Sequence, residues 1–339
     1  MAATIKDIKE KTGLSLATIT KFLNGGNVLP ENREKIAAAI ESLHYEVNEI
    51  ARGLVTNRTK TVGVAVFSIE SLFNGILLRH MGETLRRAGY AAIICDSNND
   101  PDREAENIRF LLGKKVDGII AIPAGRSGAF LRPAQEAGVP AVLLDRDLED
   151  GGFDCVRIDN RLAARRAVEV LLAKGHRKIA CISSAAEYTG LERRLGWLDA
   201  MERAGLEPPE AYQRLGFHSF EFGHQSMQEL LRLPDRPTAV FMSNYEITLG
   251  GVMAVNESRF RCPADVSLLG FDNLLLSEIV EPRLYRVVQP MGEMAERAAG
   301  LLLQRMACGA PYTPETVILE TRLEAGNSIL EISPENPLA

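Results

Sequence analysis

From Thr61 onward, short apolar runs alternate with amphipathic stretches, and this alternation restricts what the chain can fold into more than any other feature. Runs of strand length occupy 61–67, 91–96, 118–122, 141–144, 178–183, 238–242 and 266–270. Helical periodicity fills 73–88, 161–174, 193–204 and 222–231 between them. Strands covered by helices on both faces read as continuous apolar runs, so the repeat predicts parallel sheets flanked by helices. One sheet holding every strand would be large. Two doubly wound lobes of five or six strands each, over residues 61–328, fit domain sizes better.

In such lobes a ligand binds beyond the carboxyl ends of the strands, so the residues that follow each run matter most. They are Ser68, Asp145 and Arg146, Ser183 and Ser184, Ser243 and Asn244, and Asp272. A single one reads equally well as a turn or helix cap, but five polar strand ends together predict a binding cleft. Arginine, carboxylate and amide groups together offer donors and acceptors, the mixture that a hydroxyl-rich ligand needs. Phe73, and Phe217 or His218 near a strand expected between the lobes, can stack on a sugar ring or base, although packing in the core is the ordinary role of a Phe.

At 339 residues, 46% hydrophobic and 25% charged, the composition is that of a soluble globular chain. No apolar run approaches the roughly 20 residues needed to span a bilayer, and no basic leader precedes an apolar stretch, so no membrane partner is expected and the cytoplasm is the expected compartment. Five scattered cysteines, with no pair at a metal-ligand spacing, read as small buried apolar residues in a reducing compartment. Residues 1–60 carry nine Lys/Arg against seven Asp/Glu, so a net charge of −6 divides into +2 for this head and −8 for the rest.

Three short helices are predicted in the head. Thr4 and Asp7 cap the first, which buries Ile5 and Ile8 and stops at Gly13. Ser15 caps the second, where Ile19, Phe22 and Leu23 share a face, Ala17, Thr18 and Lys21 point elsewhere, and Asn24-Gly25-Gly26 ends it. The third follows Pro30 with Ile36, Ile40 and Leu43 inward. Two helices joined by a tight turn can form a helix-turn-helix, whose second helix enters the DNA major groove, or can simply decorate a larger chain as a bundle. Residues 48–54 form a helix-length segment too short to be stable alone. Ala51 and Leu54 share a face there, which suits a pair of such helices wedged into the minor groove and equally suits a linker.

The motif Thr4-Ile5-Lys6-Asp7-Ile8, the run Ser15-Leu16-Ala17-Thr18-Ile19-Thr20, Leu43-His44-Tyr45 and Ala51-Arg52-Gly53-Leu54 together resemble the headpiece and hinge of the LacI/GalR transcription repressors. The resemblance extends through most of the chain. His176-Arg177-Lys178-Ile179-Ala180, Arg193-Arg194-Leu195-Gly196-Trp197, residues 236–241 and 266–273 are similar to the family's effector-binding core, itself similar to periplasmic sugar-binding proteins. It implies a headpiece over 1–46, a hinge helix and linker over 47–60, a two-lobed core over 61–328 and a short loose tail over 329–339. It implies that Leu16, Ala17 and Lys21 read bases, that Thr18 contacts phosphate and that Leu54 is the minor-groove lever, with Ser15, Asn24 and Ala51 in the same DNA interface. It assigns effector contacts to Arg193, Asn244 and Asp272, and to Asp145 and Arg146; Ser68, Phe73 and His218 join them from the strand-end and stacking arguments.

The chain departs from the family's pattern at Val47, where proline is usual, at Leu16 and Ala17, where polar residues are common, and at Tyr245, which stands in place of aspartate. Base reading then falls to Lys21 and to contacts with thymine methyls. Glu46 and Glu49 beside the hinge oppose phosphate.

Catalysis is not expected. No glycine-rich phosphate loop or nucleophile elbow is present, the five histidines lack a metal-binding spacing apart from a loose His218/His224 pair, and no cofactor or metal is implied. The expected partners are palindromic double-stranded operator DNA, a second copy of the chain joined through the outer faces of both lobes, and a small effector, a sugar or sugar derivative. A nucleobase or nucleoside effector is the alternative within the family. A sugar-binding protein without a DNA role is the alternative outside it.

Overall fold

The computed structural model describes residues 3–23, 25–45, 58–184, 187–272, 281–309 and 313–332. The chain separates into two units, Met1–Thr59 and Lys60–Ala339.

In the first unit, α1 (Ile5–Thr12), α2 (Leu16–Leu23) and α3 (Pro30–Leu43) enclose a small core of Ile8, Ile19, Ile36 and Ala39. Thr4 donates its backbone N–H to the Asp7 carboxylate at 2.7 Å, and its hydroxyl lies 2.9 Å from the same oxygen. Gly13, at φ +67°, turns the chain out of α1 in a left-handed conformation that costs glycine little. Ser15 Oγ accepts from Thr18 N at 3.2 Å, which satisfies one of the free donors at the start of α2.

The second unit holds two lobes. The first begins with β1 (Thr61–Val66), α4 (Leu72–Arg87), β2 (Ala91–Asp96), α5 (Pro101–Gly113), β3 (Gly118–Ile122), α6 (Arg132–Glu136), β4 (Ala141–Leu144) and β5 (Asp154–Ile158). The second lobe follows with α7 (Asn160–Ala173), β6 (Ile179–Ser183), α8 (Tyr188–Arg203), β7 (Gln213–Leu215), α9 (Phe220–Leu231), β8 (Ala239–Met242), α10 (Tyr245–Asn256), β9 (Ser267–Phe271) and β10 (Tyr285–Val288). Then α11 (Met291–Cys308) returns to pack on the first lobe, β11 (Thr316–Leu319) joins the first sheet, and β12 (Arg322–Glu324) joins the second.

Each sheet has six strands, ordered β2-β1-β3-β4-β5-β11 and β7-β6-β8-β9-β10-β12, so one winding scheme occurs twice. Pairing is parallel except between β10 and β12, where a short antiparallel strand closes the edge. In register, Val64 of β1 lies beside Ile94 and Ile120, and five of the six β1 residues are buried. That double burial produces the unbroken apolar run.

Three expectations need correction. The strand near 213–215 is the outer edge of the second sheet, not an element between the lobes. The chain is not loose over the described residues 329–332: Leu330 N donates to Ser267 Oγ at 2.9 Å, buried His176 reaches Leu330 O at 3.1 Å, and Ile332 N donates to Lys174 O at 2.8 Å. Backbone groups held this way are as fixed as the lobe beneath them. Of the cysteines, Cys95, Cys155 and Cys181 are buried and Cys262 partly so, whereas Cys308 is exposed at the end of α11. No helix among the described residues is long and apolar enough to cross a membrane.

Candidate functional site

The carboxyl ends of the two sheets face each other across a cavity of about 440 Å³. All eight residues expected to contact an effector line it: Ser68, Phe73, Asp145 and Arg146 from the first lobe, Arg193, His218, Asn244 and Asp272 from the second. Asp145 and Asp272 follow β4 and β9, which hold the same place in the two strand orders, and both have left-handed backbones, at φ +70° and +78°. That conformation is costly for a residue with a side chain and persists where the surrounding structure holds it.

Arg146 ties the walls together. Its guanidinium donates to Pro123 O at 2.9 Å and, across the cleft, to Glu187 at 2.9 Å, and it stacks 3.9 Å above the Phe67 ring. Glu187 also meets His218 Nδ1 at 2.9 Å, and His218 Nε2 lies 3.3 Å from Ser243 Oγ. Burial alone would raise the Glu187 carboxyl, but the charges of His218 and Arg146 outweigh it and hold the group down at about 2. Arg193 is buried on α8, donating to Asn160 Oδ1 at 2.8 Å and to Ser243 O at 2.6 Å, with its plane 3.7 Å from the Phe271 ring. Asn244 caps α10 by accepting from Ile247 N at 2.9 Å, and Asp272 accepts from the Gln289 amide.

Burial pushes the Asp145 carboxyl up to about 6 in spite of Arg146 and Arg193. Among the described residues its Oδ1, the Nε of Arg146 and the Oε1 of Gln289 are buried without a hydrogen-bond partner. Such groups are expensive to leave unpaired, and all three belong to residues that line the cavity.

Several lining residues escaped the sequence reading. Phe67 closes the first apolar run. Glu187 lies three residues beyond Ser184, at the end of the polar pair that follows β6, and Gln289 follows β10, which lacks an unbroken apolar run. Tyr245, noted only as a departure, accepts from Leu72 N at 3.0 Å across the cleft. Arg286 inside β10 explains the unrecognised strand: a charged residue breaks the apolar run, yet it is buried and paired with Glu324 at 3.0 Å.

In the first unit, α2 turns Ile19 inward and leaves Leu16, Ala17 and Lys21 exposed, with Thr18 half-buried beside them. Ala17, Thr18 and Lys21 line a groove against residues 27–30 and 32–34. Asn24, Ala51 and Leu54 lie outside the described residues. Also among the described residues, no group of three His, Cys, Asp or Glu side chains is arranged to hold a metal ion.

Residues 168–329 match the periplasmic binding protein-like domain. The chain is 32% identical to the catabolite control protein A of Priestia megaterium over 90% of its own length and 93% of that protein's. The chain belongs to the LacI/GalR family. Within this family of transcriptional regulators, the ribose operon repressor of Escherichia coli strain K12 is 31% identical over 90% of the chain and 93% of its own length. A solved complex of the transcriptional regulator CelR with cellobiose is 28% identical and covers 96% of this chain and 99% of that one, with a TM-score of 0.74. LacI/GalR proteins are DNA-binding regulators and not enzymes, which fits a cavity lined by binding groups.

Proposed function

We propose that this LacI/GalR protein is a cytoplasmic repressor that binds a palindromic operator as a homodimer and whose operator affinity is set by a hydroxyl-rich small molecule held between the lobes. One observation carries the reading: Ser68, Asp145, Arg146, Asn244 and Asp272, which follow separate strands, converge on a cavity bridging two lobes, in a chain that also bears a helix-turn-helix with an exposed face. In this reading Leu16, Ala17 and Lys21 meet base edges, Ser15, Thr18 and Asn24 support the interface, and Ala51 and Leu54 act in the hinge. The effector lies among Ser68, Phe73, Asp145, Arg146, Arg193, His218, Asn244 and Asp272. One headpiece touches too few bases for useful selectivity, so two copies related by a twofold axis read the site. Effector binding changes the angle between the lobes and hence the spacing of the two hinge segments.

The test is a mobility-shift series with DNA from upstream of the chain's own gene across rising salt. Preferential binding of one fragment is expected, with the logarithm of affinity falling linearly with the logarithm of salt concentration. Arg193→Ala should retain that binding without ligand and lose the ligand response. The reading fails if no fragment is preferred, or if the protein is monomeric on its best DNA.

A further inference from the structure

The charges around the cavity are unevenly spent. Its carboxylates are Glu70, Asp145, Glu187, Glu246 and Asp272, while its lining includes two guanidiniums, His218 and no lysine. Arg146 is already committed to Pro123 O and Glu187, and Arg193 to Asn160 and Ser243 O. Each guanidinium is also stacked on a phenylalanine, which fixes its plane. Among the described residues no cation lies within ion-pair distance of Glu246 or Asp272. Burial raises both Asp145 and Glu246 above their ordinary values, although the charges of Arg146 and Arg193 oppose it at Asp145 and that of His218 opposes it at Glu246.

The unpartnered groups carry the argument further. Of the three buried atoms on lining residues that lack a hydrogen-bond partner, Asp145 Oδ1 and Gln289 Oε1 accept and only Arg146 Nε donates. The side chains of Asp145, Arg146 and Gln289 are each more than nine-tenths buried, and Arg146 Nε lies 3.7 Å from Asp145 Oδ2, so a ligand reaches these atoms only where neighbouring side chains yield. A hydroxyl both donates and accepts, and an ammonium group donates. A phosphate dianion or a carboxylate only accepts, so it would set acceptor against acceptor in a site with excess negative charge.

We propose that the effector carries no anionic group: the cavity takes an uncharged or amine-bearing polyol and rejects phosphorylated and carboxylated sugars. Asp145 Oδ1 and Arg146 Nε, on adjacent residues, receive and donate to neighbouring hydroxyls, Gln289 Oε1 accepts from a third, and Glu246 faces the amine where one is present. This rests on the cavity being the effector site.

The experiment is a thermal-shift screen of the full chain followed by calorimetry on matched sets: glucose and ribose, the 2-amino counterpart of glucose, their phosphates, the corresponding sugar acids, and adenosine with adenosine monophosphate. In any set that stabilises the protein, the neutral or amino member should bind at least tenfold more tightly than the anionic one. Glu246→Gln should shrink that gap several-fold. A phosphate or acid that binds as tightly as its neutral parent overturns the proposal while leaving a sugar effector standing. Adenosine binding without its monophosphate, and without any sugar, overturns the sugar reading and leaves the charge rule intact. A panel in which nothing shifts the midpoint overturns both.

Discussion

Glu104 shows at the scale of one residue how the first lobe tolerates a buried acid. Its carboxylate accepts from Ala124 N at 2.8 Å, and burial, opposed by that bond and by Arg146, lifts its pKa to about 7. The folded value lies above the ordinary 4.5, so the stability associated with its proton is fully present below pH 4.5 and is lost as pH rises through about 7. Glu104→Gln keeps an acceptor for Ala124 N and removes the ionisation. Denaturant titrations should find the variant more stable than the parent by about 2–3 kcal/mol at pH 8 and nearly equal to it at pH 4.5. A constant difference across that range would mean that the group titrates normally. His176 works in the opposite direction, because burial depresses it to about 4, so the pH dependence of the parent alone does not isolate Glu104.

Among elements, the interior strands were legible in the sequence because burial on both faces leaves no alternative to an apolar run. Strands that carry paired charges were not. Asp154 begins β5 as the partner of Arg305 at 2.9 Å, and Arg286 sits inside β10. Both pairings join residues distant along the chain, so no local pattern announces them. The site divides in the same way. Asp145, Asn244 and Asp272 were found because they follow readable strands, while Gln289 was lost with β10. Helix packing also lies beyond the sequence, and Gly250 of α10 shows it. It packs: a Cβ there would stand 2.0 Å from Phe220 O of α9 and 2.7 Å from His224 N. Backbone does not yield as a side-chain tip does, so Gly250→Ala must push α9 from α10, at a cost of about 1–3 kcal/mol. Phe220 and Tyr245 open these two helices and line the cavity, so the same variant should weaken ligand binding. Gly300→Ala in α11 meets nothing within 4 Å and should be neutral or stabilising by about 0.5–1 kcal/mol. Equal behaviour of the two alanines in urea would remove the steric explanation.

For the whole molecule, the decisive contacts span the cleft. Arg146 reaches Glu187, and Leu72 N donates to Tyr245 Oη. These bonds hold the strand ends together around a cavity that still contains unpaired buried groups. A ligand that satisfies those groups stabilises the closed arrangement, and whatever shifts closure shifts ligand affinity by the same free energy. Tyr245→Phe tests this link without changing the cavity's charge. It keeps the ring and removes the acceptor for Leu72 N, which disfavours closure by about 1 kcal/mol. Calorimetry with the ligand that succeeds in the matched sets should then give about fivefold weaker binding, and small-angle scattering of the free protein should give a larger radius. If the effector also controls the operator, thermodynamic reciprocity requires DNA to change the effector affinity by the same factor by which the effector changes the DNA affinity, in the variant as in the parent. Unchanged affinity together with an unchanged radius would show that this hydrogen bond plays no part in closure.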